Sequence, residues 1–137
     1  MLKDIPRTQV TDVAIGIVPV DDVVDDPEEA LWKVYILNLK DEPIENVIVS
    51  SKGYGSYQGE NVKTSTLRQF LGTIEANSYM QVEAMQKKVA GLNNEYWVSF
   101  YIGSEIYDKK YVFLPEAMHE QFFTNIPILN ERGVMIR

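Results

Sequence analysis

The sequence predicts an all-β fold: an antiparallel β-sandwich of about seven strands, with a short helical turn and an extended C-terminal segment. Three observations predict it. Apolar residues recur with a period of two in residues 10–20, 31–39, 66–74 and 95–113. Those runs are rich in Val, Ile, Tyr, Phe and Trp, which fit a pleated surface. Proline, glycine or clustered acids separate them, as turns between strands require. At 137 residues the length prior is one domain, with residues 10–114 as the sandwich and 115–137 as a C-terminal extension. A chain of this size buries roughly two thirds of the surface it exposes when unfolded, which is enough for a core without staples.

In residues 10–20, Val13, Ile15 and Ile17 share one side while Ala14, Gly16 and Val18 share the other, and Pro19 ends the strand. Residues 31–49, LWKVYILNLKDEPIENVIV, form the stretch around which the rest is arranged. Trp32, Val34 and Ile36 point one way and Tyr35, Leu37 and Leu39 the other, so the first run suits a strand covered on both faces. Lys40, Asp41, Glu42 and Pro43 interrupt it, and the return run makes this the expected central hairpin. The glycine-punctuated segment 51–60 is expected to be a flexible loop, and residues 66–74 the next strand. Residues 79–84 return as a strand with Met80 and Val82 inward; beyond them helix and strand compete, since Val82, Met85 and Val89 have helical spacing and Gly91 could end a helix. Residues 95–113 read as a hairpin closed by Gly103-Ser104, a type II′ pair, which sets Phe100 opposite Tyr107, Val98 opposite Lys109 and Tyr96 opposite Tyr111. Residues 115–123 suit a helical turn with Pro115 at its start, and short extended pieces follow.

Composition removes several chemistries. The chain has no cysteine, so disulfides, thiolate metal sites and thiol nucleophiles are excluded, and any acid–base mechanism that uses histidine must use the single His119. Twenty acids always offer carboxylate pairs, but the sequence gives no reason to pick two of them. No serine sits in a nucleophile-elbow context, so no catalytic residue is assigned. A net charge of −7 argues against a nucleic-acid groove, which needs clustered Lys and Arg. No run approaches a membrane span, and the protein is read as soluble and cytoplasmic. Residues 21–29, DDVVDDPEE, hold Asp21, Asp22, Asp25 and Asp26, which are calcium candidates by oxygen chemistry but lack EF-hand spacing; a solvated acidic loop is the favoured reading. No cofactor is expected.

The aromatic side chains are the remaining functional signal. Trp97, Tyr101 and Tyr107 of the late hairpin are candidates for a recognition surface, since rigid amphipathic rings favour interfaces, with the alternative that they fill the core and its rim. Tyr54 and Tyr57, beside Lys52 and three glycines, are candidates for small-ligand or carbohydrate contact in the 51–60 segment. The expected function is a non-enzymatic protein-interaction or assembly module, with a protein partner or self-association, no nucleic acid and no membrane.

Two resemblances enter on these residues. WKVYILNLKDEPIENVIV, LGTIEANSYMQVE and the late aromatic hairpin look like immunoglobulin and fibronectin type III sandwiches, a likeness that implies a fold and no activity. WKVYILNLKDEPIENV, KTSTLRQFLG, LNNEYWVSFY, YDKKYVFLPE and NERGVMIR resemble a family of small uncharacterised bacterial proteins, some of which carry the automatic label of phenylalanyl-tRNA synthetase alpha subunit. The label implies, at most, a translation-related accessory role. The synthetase catalytic core is a larger class II fold with an Arg-bearing ATP motif, and this acidic, strand-rich chain is too short to hold it. No synthetase residue carries over.

Overall fold

The computed structural model describes residues 9–20 and 26–137. Among these residues ten strands form two antiparallel sheets: β1 (Val13–Pro19), β2 (Leu31–Asn38), β3 (Ile44–Tyr57), β4 (Glu60–Lys63), β5 (Leu67–Ile74), β6 (Ser78–Gln86), β7 (Asn93–Ile102), β8 (Glu105–Phe113), β9 (Thr124–Ile126) and β10 (Glu131–Ile136). The first sheet runs β6-β2-β1-β10-β9 and the second β4-β3-β7-β8, with β5 also paired to β3. An all-β sandwich is therefore the architecture. β1, β2, β3, β5, β6, β7 and β8 supply the strands expected of residues 10–114, β4 lengthens one hairpin, and the C-terminal segment adds β9 and β10.

Residues 31–49 are not a hairpin. β2 pairs with β1 and β6, whereas β3 pairs with β4, β5 and β7 in the other sheet, so the chain crosses between layers at residues 39–43. The crossing is held by Asn38, fully buried, whose amide donates to the carbonyls of Glu42 (2.9 Å), Ile74 and Glu75 (both 3.1 Å) and whose side-chain oxygen accepts from the Lys40 amide. A polar break at 40–43 fits a hairpin and a crossover equally well. The choice was made by long-range pairing, with β7 and β5 taking both edges of β3.

One core fills the space between the sheets. Val13, Ile15, Ile17, Val34 and Ile36 of the first sheet meet Val47, Val49, Tyr96, Val98, Phe100 and Tyr111 of the second. A smaller cluster lies on the outer face of the first sheet, where Ala14, Val18 and Leu37 are covered by Ile126, with Tyr35, Leu39, Leu129 and Met135 around them. The two-sided burial expected of residues 31–39 is thus supplied from within the chain, by the segment that forms β9 and β10. Ile126 reaches over Gly16 and Gly133, positions where a side chain would occupy its space.

The β7–β8 hairpin has the expected register: Phe100 opposite Tyr107, Val98 opposite Lys109 and Tyr96 opposite Tyr111, closed by Gly103 with φ 61°. Segment 51–60 differs from its expectation. β3 runs on through Tyr57, turns at Gln58 and Gly59 with φ 52° and 82°, the two positive angles of a type I′ hairpin, and returns as β4. Only Gly59 marks a turn; Gly53 and Gly55 sit in the strand against Leu92 and Asn93 or Asn94. Between β6 and β7, strand continues to Gln86 and a one-turn helix, α1 (Lys87–Ala90), follows; Asn94 secures it by donating to the Val89 and Leu92 carbonyls. Residues 115–123 contain two 3-10 turns, Pro115–Ala117 and Glu120–Phe122.

The Gly133→Ala variant tests the packing of the C-terminal strands. Its Cβ would run into the Ile17 carbonyl oxygen, a backbone atom that cannot rotate away. The expected outcome is a loss of about 1–3 kcal/mol in urea unfolding, larger than for Gly16→Ala, whose neighbours are flexible ends of Ile126 and Leu37.

Candidate functional site

Alternation on β7 decides which aromatics stay in contact with solvent. Tyr96, Val98 and Phe100 point into the core, so Glu95, Trp97, Ser99 and Tyr101 stand on the outer face of the second sheet. Register carries this face across the neighbouring strands. Tyr101 is opposite Ile106 on β8, Ser99 is opposite Ile48 on β3, and Ile48 is opposite Phe70 on β5. Phe70 is 68% exposed, Ile106 57%, Trp97 49% and Tyr101 37%, with Ile48 half-buried between them. Exposed apolar side chains are common singly; several large ones on a single sheet face make a contiguous patch, which is less so.

A polar border lies beside the patch. Glu95 sits between Lys52 (3.4 Å) and Lys110 (3.8 Å), and Lys110 Nζ lies 5.9 Å from the centre of the Trp97 ring. Lys52 in turn lies 6.0 Å from the centre of the Tyr54 ring, which places Tyr54 on this same outer face. Ion pairs whose lysines stay in contact with solvent, as here, contribute little to stability, about 0–1 kcal/mol each, and serve better to orient a partner.

The sequence-derived candidates are thereby divided. Trp97 and Tyr101 share the outer face with Tyr54. Tyr107 belongs to the other face, stacked on the buried Phe100 ring at a centroid distance of 5.3 Å, with its hydroxyl donating to Glu105. Tyr57 is separated from Tyr54 because residues three apart on a strand face opposite ways. Phe70, Ile48 and Ile106 were missed as site residues. The outward parity of Ile106 could be read from β8, but bulges shift the alternation in β3 and β5, so Ile48 and Phe70 face outward although Ile44 and Ile74, of the same parity, are buried. The adjacency of all three follows only from the pairing of β5 with β3, β3 with β7 and β7 with β8.

Tyr57 instead lines a groove at the end of the sandwich near α1. Trp32, Lys87, Lys88, Gly91, Met118 and His119 share it, and its volume is about 280 Å³. His119 is exposed at the start of the second 3-10 turn. Of the calcium candidates, Asp21, Asp22 and Asp25 lie outside the described residues, and Asp26 is exposed at the entry to a 3-10 turn. Among the described residues no group of three or more His, Cys, Asp or Glu side chains is arranged to hold a metal ion, and no helix is long and apolar enough to cross a membrane.

A third cluster joins the two sheets. Tyr96 on β7 donates to Glu83 Oε1 on β6 at 3.0 Å, and Ser51 on β3 donates to Glu83 Oε2 at 3.3 Å. Both carboxylate oxygens are therefore engaged. On the other side Tyr111 on β8 donates to the Val13 carbonyl on β1 at 2.5 Å. Burial pushes the Tyr96 phenol far above its ordinary range, and the Glu83 charge adds to this; burial alone raises Tyr111. These hydroxyls act as bolts between layers.

No family model, curated protein or solved structure matches the chain.

The raised phenols predict a pH dependence with a definite sign. An unfolded Tyr loses its proton near pH 10, the ordinary value, while folded Tyr96 and Tyr111 keep theirs. Above that pH the unfolded state binds fewer protons, so stability is full below about pH 10 and falls as pH rises beyond it. Urea midpoints measured from pH 8 to 11.5 should show this fall. In Tyr96→Phe with Tyr111→Phe, less stable at neutral pH, the alkaline slope should be shallower.

Proposed function

We propose that this protein is a non-catalytic interaction module that binds a protein partner through the outer face of its second sheet. The observation that carries this reading is the patch of Phe70, Ile48, Trp97, Tyr101 and Ile106, with four of the five exposed. Interface centres are enriched in aromatic side chains, and Trp and Tyr are the residues whose truncation most often costs more than 2 kcal/mol. The chemistry of the face fits a partner with an apolar centre and mixed charge at its border, to meet Glu95, Lys52 and Lys110.

A second reading is supported by the groove near α1. Tyr57, Trp32, Lys87, Lys88 and His119 combine ring surfaces with positive charge on a chain whose net charge is −7, a combination suited to a small ligand such as a carbohydrate bearing an anionic group. Trp32 offers only part of its ring there, because Phe123 packs edge-on against it at 5.8 Å.

The two readings have separate tests. A photo-cross-linking residue at position 99, in the middle of the patch, should trap a defined partner. Trp97→Ala combined with Phe70→Ser should abolish that product while leaving the melting temperature within a few degrees. An unchanged product would sink the surface reading. For the groove, a binder present at about a hundred times its Kd adds roughly 2.7 kcal/mol to stability. A screen of anionic sugars should therefore raise the melting temperature of the wild type and not of Tyr57→Ala with Lys88→Ala; a flat response across the screen counts against it.

A further inference from the structure

β8 is the terminal strand of the second sheet, and among the described residues nothing pairs with its outer edge. Edge strands are protected against indiscriminate pairing by charges, and Lys109 and Lys110 at mid-strand read that way. The full sequence of the strand, EIYDKKYVF, says something more particular.

β8 has nine residues centred on Lys109. The hairpin that joins it to β7 is closed by the Ile102–Glu105 pair, so odd-numbered residues of β8 turn their amides and carbonyls toward β7 and even-numbered ones turn theirs outward. If a second copy of β8 is laid antiparallel on that edge about a two-fold axis at Lys109, the outward-turned residues meet one another. Asp108 lies opposite Lys110 of the second copy, Lys110 opposite its Asp108, Ile106 opposite its Val112 and Val112 opposite its Ile106. Each of these pairs can exchange two backbone hydrogen bonds. Each also brings together side chains of matching chemistry on the outer face, carboxylate with ammonium and aliphatic with aliphatic.

Neighbouring registers lack this property. An axis at Asp108 sets two aspartates face to face and Ile106 against Lys110; an axis at Lys110 sets two lysines face to face and Asp108 against Val112. Cross-strand pairs of opposite charge stabilise and like charges destabilise by comparable amounts, so the charges that discourage general pairing select one register. The single like-charge contact left is Lys109 against itself on the inner face. Each Lys109 is drawn along its own strand, with Nζ bonded to the Arg137 carbonyl at 3.1 Å and 5.0 Å from the Tyr111 ring centre. The two-fold reverses the strand direction, so the two ammonium groups lean apart.

We infer that β8 pairs edge-to-edge with β8 of a second copy of this chain in the Lys109-centred register, joining two second sheets into one continuous sheet. The pairing extends the interaction-module reading by naming one partner of this sheet, and it uses the edge where that reading uses the face. It sets the two aromatic patches side by side on one surface, with Ile106 of each copy at the seam.

Sedimentation equilibrium on the full chain tests it by charge exchange. The wild type should sediment at twice the chain mass. Asp108→Lys creates two lysine–lysine contacts and Lys110→Asp two aspartate–aspartate contacts, so each variant alone should dimerise on the order of ten- to a hundredfold more weakly. Mixing the two single variants should restore a heterodimer, because every Lys then meets an Asp, and the double variant D108K/K110D should again form a homodimer. Circular dichroism melts show whether each variant is folded, and the mixture and the double variant keep the test valid if one single variant is less stable. A monomeric wild type at 100 µM, single variants that dimerise normally, or a mixture that fails to pair would each overturn the inference. Those results leave the position-99 cross-link unaffected, whereas loss of the cross-link with an intact dimer would strike the face alone.

Discussion

The structure depends on covering β1 and β2 on both sides. In β1 every residue except Pro19 is buried, and in β2 Trp32, Val34 and Ile36 face one layer of neighbours while Leu37 faces another. A single opposing sheet can satisfy only one of those faces. The other is satisfied by the C-terminal segment, which pairs β10 with β1 and lays Ile126 over Ala14, Val18 and Leu37. At roughly 25 cal/mol per Å² of apolar surface removed from water, leaving such a face open would forfeit several kcal/mol. Residues 115–137 thus complete the sandwich they follow.

The two sheets consequently differ in what they present to solvent. The first has spent its outer face on its own C-terminal segment. Among the described residues no segment covers that face of the second, and the outward positions of β3, β5, β7 and β8 keep Ile48, Phe70, Trp97, Tyr101 and Ile106 in contact with water. Polar groups between the layers, Asn38 at the crossover, Tyr96 with Glu83, and Tyr111 on the Val13 carbonyl, fix the sheets' relation to one another. A buried polar group that lost its partner would cost about 1–3 kcal/mol, which makes this one arrangement preferable to slipped alternatives. Rigid support beneath an exposed aromatic face lowers the entropy lost on binding.

Much of this was legible in local pattern. The β7–β8 hairpin and its register followed from Gly103-Ser104 and alternation, and that alternation separates Trp97 from Tyr96, Val98 and Phe100, although which of the two faces is covered was not legible. The errors arose where a local signal had two meanings. Gly53, Gly55 and Gly59 read as a loop because glycine usually marks turns, yet two of them lie within β3 where neighbouring side chains come close. Lys40 to Pro43 read as a hairpin turn because the break is short, yet Asn38 ties it to Ile74 and Glu75, residues distant in sequence. Tyr107 was grouped with Trp97 by composition although its register with Phe100 puts it on the opposite face.

What the sequence determined by itself was the class of structure and the facing of residues within unbulged strands such as β7 and β8, because alternation, β-propensity and turn chemistry act over a few residues and need no partner. What only the tertiary structure decided was which strands are neighbours and where the alternation is shifted: that β2 and β3 part company, that bulges let β5 bring Phe70 beside Ile48 on the outer face, and that β8 ends its sheet with an edge no described strand pairs. Those outcomes depend on contacts between segments far apart in the chain, where many pairings satisfy the same local rules and the joint burial of all the apolar faces selects among them.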